Sequence, residues 1–292
     1  MKNIVYHNGT WIEEDLASMN LKSQTIHYGN GVFEGIRSYN GEDGPSIFKA
    51  KEHFDRLIYS ASVMGISIDL TSDQLTKVAY ELIDKNNLTD AYIRPLVYTG
   101  IDMGLNACSE SYVYMMAWKW ENYMEERLQS IMVSSFERPN PKSCIVDAKV
   151  TGHYTNSILA TAEAKRRGYD SAVLLDMYGN VAEGPGANLF VEKDGILYTP
   201  PIGNILPGIT RDTVLELSRE IGFLVRTESF GPEFLINADN AFFTGTAAEV
   251  KGIGYVNDQK LPLPWEESIG YTLSLMYHKL VRNKRYSAIT MV

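Results

Sequence analysis

Lys149 is the residue around which chemistry can be built. It sits in Val146-Asp147-Ala148-Lys149-Val150-Thr151-Gly152-His153-Tyr154, among small and apolar neighbours able to hold its amine away from bulk water. Desolvation lowers the pKa of an ammonium and leaves more neutral amine to attack an aldehyde. A lysine without context is more often an exposed one, so other residues must decide. Glu183, in Val181-Ala182-Glu183-Gly184-Pro185-Gly186-Ala187-Asn188, ends a strand-like run and precedes a loop whose glycines would let a flat ring approach the backbone. Alone it reads as a solvated turn carboxylate. Two stretches suit an anion. Pro207-Gly208-Ile209-Thr210 opens a helix whose first amides point outward with the positive end of its dipole. Phe242-Phe243-Thr244-Gly245-Thr246-Ala247-Ala248-Glu249 breaks an apolar strand into a small-residue turn with a hydroxyl at Thr246. Either turn can be purely structural, and each alone is a weak signal. Neither carries the lysine pattern of a nucleotide phosphate loop, and no Gly-x-Gly-x-x-Gly follows a strand. Taken together, an amine for an aldehyde, a carboxylate for a ring nitrogen and anion sites for a phosphate are what a pyridoxal cofactor requires.

The elements that must position these residues are legible from periodicity. Asn8-Gly9 between Ile4-Val5-Tyr6 and Thr10-Trp11-Ile12 predicts a tight hairpin. Apolar residues recurring at three and four from Lys51 to Met64, and again from Leu75 to Ile83, predict two helices. Ala91 to Tyr98 and Ser111 to Trp118 read as strands, and the charged stretch after them as a linker. Beyond it, Ile131-Met132-Val133, Ala172 to Met177, Asn188 to Glu192 and Ile196-Leu197-Tyr198 read as strands. Thr155 to Arg167, ending at Gly168, and Arg211 to Ile221 read as helices. The expected architecture is α+β: a small domain over 1–119, a linker over 120–127 and a large cofactor-binding domain over 128–292, with the active site between the domains.

Bulk properties narrow the function classes. A chain of 292 residues is long enough for two domains, and a formal net charge of -9 argues against a phosphate-backbone partner such as nucleic acid. Cys108 and Cys144 have neither metal-ligand spacing nor the density of a disulfide scaffold, so no metal is expected and a reducing cytoplasm fits best. Cys144 reads as a small buried apolar side chain. The N-terminal residues lack the apolar stretch of a secretory signal, and no apolar run reaches the length of a membrane helix, so no membrane association is expected.

Six blocks in order carry a resemblance: Val32-Phe33-Glu34-Gly35-Ile36-Arg37, Tyr92-Ile93-Arg94-Pro95-Leu96, Ala148-Lys149, Glu183-Gly184-Pro185-Gly186, Leu206-Pro207-Gly208-Ile209-Thr210-Arg211-Asp212 and Gly245-Thr246-Ala247-Ala248-Glu249. From Tyr6 to Val250 the chain resembles the branched-chain amino acid aminotransferases, in the fold type IV group of pyridoxal-phosphate enzymes. The resemblance implies that Lys149 carries the cofactor as a Schiff base and moves the proton at the substrate carbon, and that Glu183 pairs with the ring nitrogen. It further implies a cofactor cradle of Arg56, Tyr154, Gly186, Leu206, Ile209, Thr210 and Thr246, with Arg56 and the last three on the phosphate. Without that match Arg56 reads as an exposed helix arginine. The implied substrate residues are Phe33, Gly35, Arg37, Tyr92, Trp120 and Tyr123, with Thr246, Ala247 and Tyr92 for the α-carboxylate and Arg94 with Tyr28 for a distal one. Leu105, in Ile101-Asp102-Met103-Gly104-Leu105, matches a loop that reaches a neighbouring subunit, which implies a homodimer or higher homo-oligomer. The implied reaction is reversible amino transfer between L-leucine, L-isoleucine or L-valine and 2-oxoglutarate. A D-amino acid aminotransferase or an aminodeoxychorismate lyase on the same fold would share Lys149 and Glu183. Ala187 and His153 depart from residues that some bacterial members carry, which bears on substrate range.

Overall fold

The computed structural model describes residues 2–120 and 127–282. Nearly all of the linker expected over 120–127 lies outside them, as does Tyr123. Among the described residues the chain forms two compact units, one of 2–120, 148–153 and 281–282, the other of 127–147 and 154–280. The segment that carries Lys149 thus belongs to the first unit, although it follows the first strand of the second.

The first unit runs β1 (Ile4–His7), β2 (Thr10–Glu13), α1 (Gln24–Tyr28), β3 (Gly31–Phe33), β4 (Ile36–Gly41), β5 (Gly44–Ile47), α2 (Ala50–Val63), α3 (Ser72–Lys85), β6 (Ala91–Thr99) and β7 (Ser111–Lys119). The hairpin at Asn8-Gly9 forms as expected, with Tyr6 opposite Trp11 and both turn residues at positive φ. Helix α3 starts at a capping box, in which Thr71 accepts from the Gln74 amide and Gln74 accepts from the Thr71 amide. Such a cap stabilises a helix by about 1 kcal/mol.

The sheet order is β2-β1-β7-β6-β4-β5, and β3 also pairs with β6. Strands β3 and β4 lie end to end along β6, with Phe33 opposite Leu96 and Ile36 opposite Ile93 in one continuous register. Their ladder is interrupted at Glu34-Gly35, opposite Arg94-Pro95, where the Glu34 amide still donates to the Pro95 carbonyl at 3.0 Å. Proline has no N–H to give a neighbouring strand, so the interruption falls where β6 cannot donate. Alternation along a strand then sorts the side chains. Val32 and Ile36 are fully buried in the core that Phe54, Leu57, Leu75 and Leu82 of α2 and α3 complete. Phe33, Gly35 and Arg37 point to the opposite face, as do Tyr92, Arg94 and Leu96 of β6.

The second unit holds β8 (Gln129–Glu137), α4 (Tyr154–Arg166), β9 (Ser171–Leu175), β10 (Val181–Glu183), β11 (Asn188–Lys193), β12 (Ile196–Thr199), α5 (Ile209–Glu220), β13 (Val225–Thr227), α6 (Pro232–Ile236), β14 (Asn240–Gly245), β15 (Glu249–Val256), β16 (Gln259–Lys260) and α7 (Ile269–Val281). Its sheet runs β10-β9-β8-β15-β14-β11-β12-β13, with β16 on β15. Strand β10 also pairs with β11 through Glu183 and Asn188, which closes six strands into a ring. Leu189, Val191, Phe243 and Ile253 fill its core, and Ala160 and Ala164 of α4 pack on Met132 and Ala172. Both units mix helices and strands, as the α+β expectation requires.

Candidate active site

In the first unit the Lys149 segment is stitched to β3 and α2 through its backbone. The Phe33 amide donates to the Lys149 carbonyl at 3.2 Å, the Lys149 amide donates to Ser60 Oγ at 2.9 Å, and Val150 bridges to Val32. Thr151 Oγ1 donates to the Gly29 carbonyl at 2.7 Å. These bonds hold the backbone whatever the side chain at 149. The side chain itself is half-buried, with Nζ 5.3 Å from the centre of the Phe33 ring.

The same ring meets a second cation, since the Arg94 guanidinium lies 4.9 Å from its centre. Arg94 Nη2 donates to the Tyr92 hydroxyl at 3.1 Å, whereas its buried Nε has no hydrogen-bond partner among the described residues. A buried donor left unpaired costs roughly 1–3 kcal/mol, so it marks a place for an acceptor. Tyr92 stacks on Trp120 at 4.8 Å, and the Arg37 guanidinium lies 5.0 Å from the Trp120 ring. Gly35 is required beside them, because a Cβ there would stand 1.9 Å from the Tyr92 hydroxyl. Phe33, Arg94, Leu96, Tyr114, Met116 and Thr151 line a cavity of about 290 Å³. The structure therefore brings Phe33, Gly35, Arg37, Tyr92, Arg94, Trp120 and Lys149 into one neighbourhood.

Tyr28 and Leu105 do not line this cavity. Tyr28 is exposed and donates to the Met103 carbonyl at 3.1 Å, and Leu105 is 86% exposed. Among the described residues, Tyr28 packs on His27 and Met103 rather than on Arg94.

On the core face of the same sheet stands a carboxylate that sequence reasoning passed over. Glu34 is fully buried between Val32 and Ile36 and accepts from Arg56 twice, Nε to Oε1 at 2.6 Å and Nη2 to Oε2 at 2.9 Å. His53 Nδ1 lies 2.8 Å from Oε2. The available signal was an acidic residue at an inward position of an alternating strand, together with His53 and Arg56 one turn apart on α2. Burial works to raise the Glu34 pKa, but the Arg56 charge and the His53 hydrogen bond outweigh it and hold the carboxyl well below the usual range. Burial lowers the pKa of His53, with Arg56 and Lys149 adding to the effect and Glu34 opposing it. A neutral His53 facing an ionised carboxylate must carry its proton on Nδ1.

Both shifts make the fold acid-sensitive. Below the ordinary histidine value of 6.5 the unfolded chain binds a proton at His53 that the folded chain refuses. Below 4.5 the same holds for Glu34. The unfolded state binds more protons in each window, so stability falls as pH falls. Thermal midpoints measured from about pH 8 to about pH 4 should decline in two stages, and His53→Gln should flatten the upper stage. An unchanged upper slope in the variant would assign that stage to other groups.

In the second unit, ring closure positions Glu183. The Asn188 side-chain amide donates to Oε2 at 2.9 Å, the Leu206 amide donates to Oε1 at 3.2 Å, and Arg138 Nε lies 2.9 Å from Oε1 but off the line of a hydrogen bond. Glu183 is 5% exposed, unlike the solvated turn residue it resembles in isolation. Asn188 also donates to the Leu206 carbonyl and so ties β11 to the loop that enters α5. At the helix start Gly208 has no side chain to cap the amides, and a Cβ there would stand 1.9 Å from Asn188 Oδ1. Ile209 and Thr210 form the first turn of α5, Thr210 buried. Thr246 and Ala247 occupy the turn between β14 and β15, next to a buried Thr244 hydroxyl without a hydrogen-bond partner among the described residues. Gly186 is exposed in the loop after Glu183, and Tyr154 is the first residue of α4.

Taken unit by unit, the residues present are of the kinds a phosphorylated pyridine aldehyde needs: in the second unit an uncapped helix start and an unpaired buried hydroxyl suited to an anion and a buried carboxylate suited to a ring nitrogen, and in the first a half-buried lysine amine. Comparison with known proteins agrees. The family model described as amino-transferase class IV matches residues 31–254. A branched-chain-amino-acid aminotransferase of Pseudomonas aeruginosa is 39% identical over 287 residues, 96% of this chain and 94% of that protein. Among solved structures, a branched-chain aminotransferase of Thermoproteus uzoniensis with norvaline superposes with a TM-score of 0.94 at 34% identity, covering 98% of this chain and 97% of the other. A branched-chain amino acid aminotransferase of Thermobaculum terrenum in its PLP-bound holo form gives 0.91 at 29% identity, covering 98% and 96%.

Proposed function

The chain belongs to the branched-chain aminotransferases of amino-transferase class IV, and from that premise we propose that it moves amino groups reversibly between L-leucine, L-isoleucine or L-valine and 2-oxoglutarate. Members of this class are pyridoxal-phosphate-dependent enzymes, and the fold type IV architecture is shared with the solved relatives. When bound, the cofactor supplies a carbonyl for the amino group and a sink for the charge left at the substrate α-carbon.

The observation that carries the substrate assignment is the Phe33 neighbourhood. Lys149 Nζ and the Arg94 guanidinium each lie about 5 Å from one aromatic ring, beside a cavity whose other walls include Leu96 and Met116. An aliphatic side chain can rest on the apolar walls, and a distal carboxylate can take the unmet Nε donor of Arg94. One pocket thus serves both partners of the exchange.

In this reading Lys149 Nζ holds the cofactor and moves the proton at the substrate α-carbon. Glu183, braced by Asn188, Leu206 and Arg138, takes the ring nitrogen. Arg56, Ile209, Thr210 and Thr246 receive the phosphate, with Tyr154, Gly186 and Leu206 around the ring. Thr246, Ala247 and Tyr92 receive the α-carboxylate, and Arg37, Tyr92 and Trp120 enclose the side chain. Exposed apolar residues at Tyr28, Ile101, Met103 and Leu105 support a homodimer whose second copy contributes Tyr28 and Leu105. No helix among the described residues is long and apolar enough to cross a membrane, and a cytoplasmic location is part of the same proposal.

The test is the absorbance of the cofactor-loaded protein after adding L-leucine, or separately D-alanine, with no oxo acid present. Conversion of the cofactor to its amine form by L-leucine alone is expected. Conversion by D-alanine alone would replace this reading with a D-amino acid aminotransferase.

A further inference from the structure

Arg56 projects from α2 on the same face as His53 and Ser60, and Ser60 accepts the Lys149 amide. An arginine on a surface-facing helix normally samples many rotamers, and ordering it costs up to about 2 kcal/mol of side-chain entropy. Here the side chain is 12% exposed and the Nε and Nη2 edge of its guanidinium is occupied by both oxygens of Glu34. That two-point grip fixes the plane of the fork and turns the Nη1 edge away from Glu34. The carboxylate is fixed in turn, because His53 holds Oε2 and the Gly35 amide lies 3.3 Å from the same atom. Nothing in forming the sheet or the core requires a charge at position 34. Val32 and Ile36 on either side are ordinary core residues, and a buried ion pair contributes little net stability relative to apolar packing.

We propose that Glu34 is a positioning residue for the cofactor's phosphate: with His53 it locks the Arg56 guanidinium so that its outer edge is presented to the phosphate monoester in one orientation. The inference rests on the phosphate role given to Arg56 above. It assigns to Glu34 a part in cofactor affinity, distinct from any contact with substrate. A glutamine at this position keeps the shape but offers one acceptor instead of two, and sets an N–H against either Arg56 or His53. The fork then regains its freedom, and phosphate recognition weakens while recognition of the ring does not.

The test is equilibrium titration of the full chain, stripped of cofactor, with pyridoxal phosphate and separately with pyridoxal, which lacks the phosphate. In Glu34→Gln the preference for the phosphorylated form should fall by about tenfold or more, with the affinity for pyridoxal kept within about twofold. An unchanged preference, or equal weakening of both ligands, would overturn the proposal, the latter by making Glu34 merely structural. Arg56→Gln is titrated in parallel. If it loses the preference while Glu34→Gln retains it, the proposal fails and the phosphate role of Arg56 stands; if Arg56→Gln retains the preference, that role fails and takes the proposal with it. Should Glu34→Gln not fold, His53→Gln decides, with an expected loss of preference of about threefold and an unchanged preference as the contrary result.

Discussion

Lys149→Ala is expected to lower the rate of amino transfer by about 10⁴-fold or more while leaving the fold intact. Proton transfer by a positioned side chain is worth about 10²–10⁴-fold, and loss of the amine that holds the cofactor removes a second contribution. Stability should be spared for a geometric reason. The bonds that anchor this segment, to Phe33, Ser60 and Val32, all run through backbone atoms of 149 and 150, and alanine keeps each of them. What the substitution deletes is a half-buried stem and a cation near the Phe33 ring, a contact worth about 0.5–1 kcal/mol at an exposed site. Thermal unfolding and multiple-turnover kinetics on the same preparation give the check. Retained repeated turnovers would remove Lys149 from its role, and collapse of the fold would show that its side chain carries structure as well.

Arg94→Leu is expected to separate the two substrates. A charge-assisted hydrogen bond to a desolvated carboxylate is worth about 1.5–3 kcal/mol, so kcat/KM for glutamate and for 2-oxoglutarate should fall on the order of 100-fold. In the proposed assignment leucine makes no use of that charge. The replacement supplies an aliphatic stem where the arginine stem lay, and kcat/KM for leucine should change by less than about fivefold. The lost bond from Nη2 to the Tyr92 hydroxyl affects both substrates alike and sets the floor of the experiment. Equal losses for leucine and glutamate would mean that the distal carboxylate is held elsewhere.

Those two residues were legible in the sequence to different depths. Taken singly, Lys149 reads as an exposed lysine and Glu183 as a solvated turn carboxylate, and only their company with two turns suited to an anion points to a pyridoxal cofactor. The role of Arg94 came from the resemblance, and the structure adds the orphaned Nε that makes an acceptor necessary. Arg56, which in isolation reads as an exposed helix arginine, is mostly buried against Glu34. No local pattern distinguishes the two cases, because the exposure of one face of α2 depends on which strand it covers. Strands β4 and β5 are not legible in the sequence, because the stretch from Ile36 to Ile47 mixes charged residues and glycines that blur the period of two.

The sequence by itself determined the local elements and the inventory of reactive groups. The three-and-four spacing specifies α2 and α3, Asn8-Gly9 specifies the first hairpin, and an amine, a carboxylate and two turns suited to an anion are present whatever the chain does next. Only the tertiary structure decided which of these groups share surroundings. Glu34 reaches Arg56 and His53 because alternation along β3 and β4 sends it under α2. Lys149 joins Phe33 because a segment more than a hundred residues away in sequence bonds to the edge of β3. Asn188 reaches Glu183 because six strands close into a ring. Periodicity is written in neighbours a few positions apart, whereas these partnerships arise from strand register and chain closure, to which residues distant in sequence contribute equally.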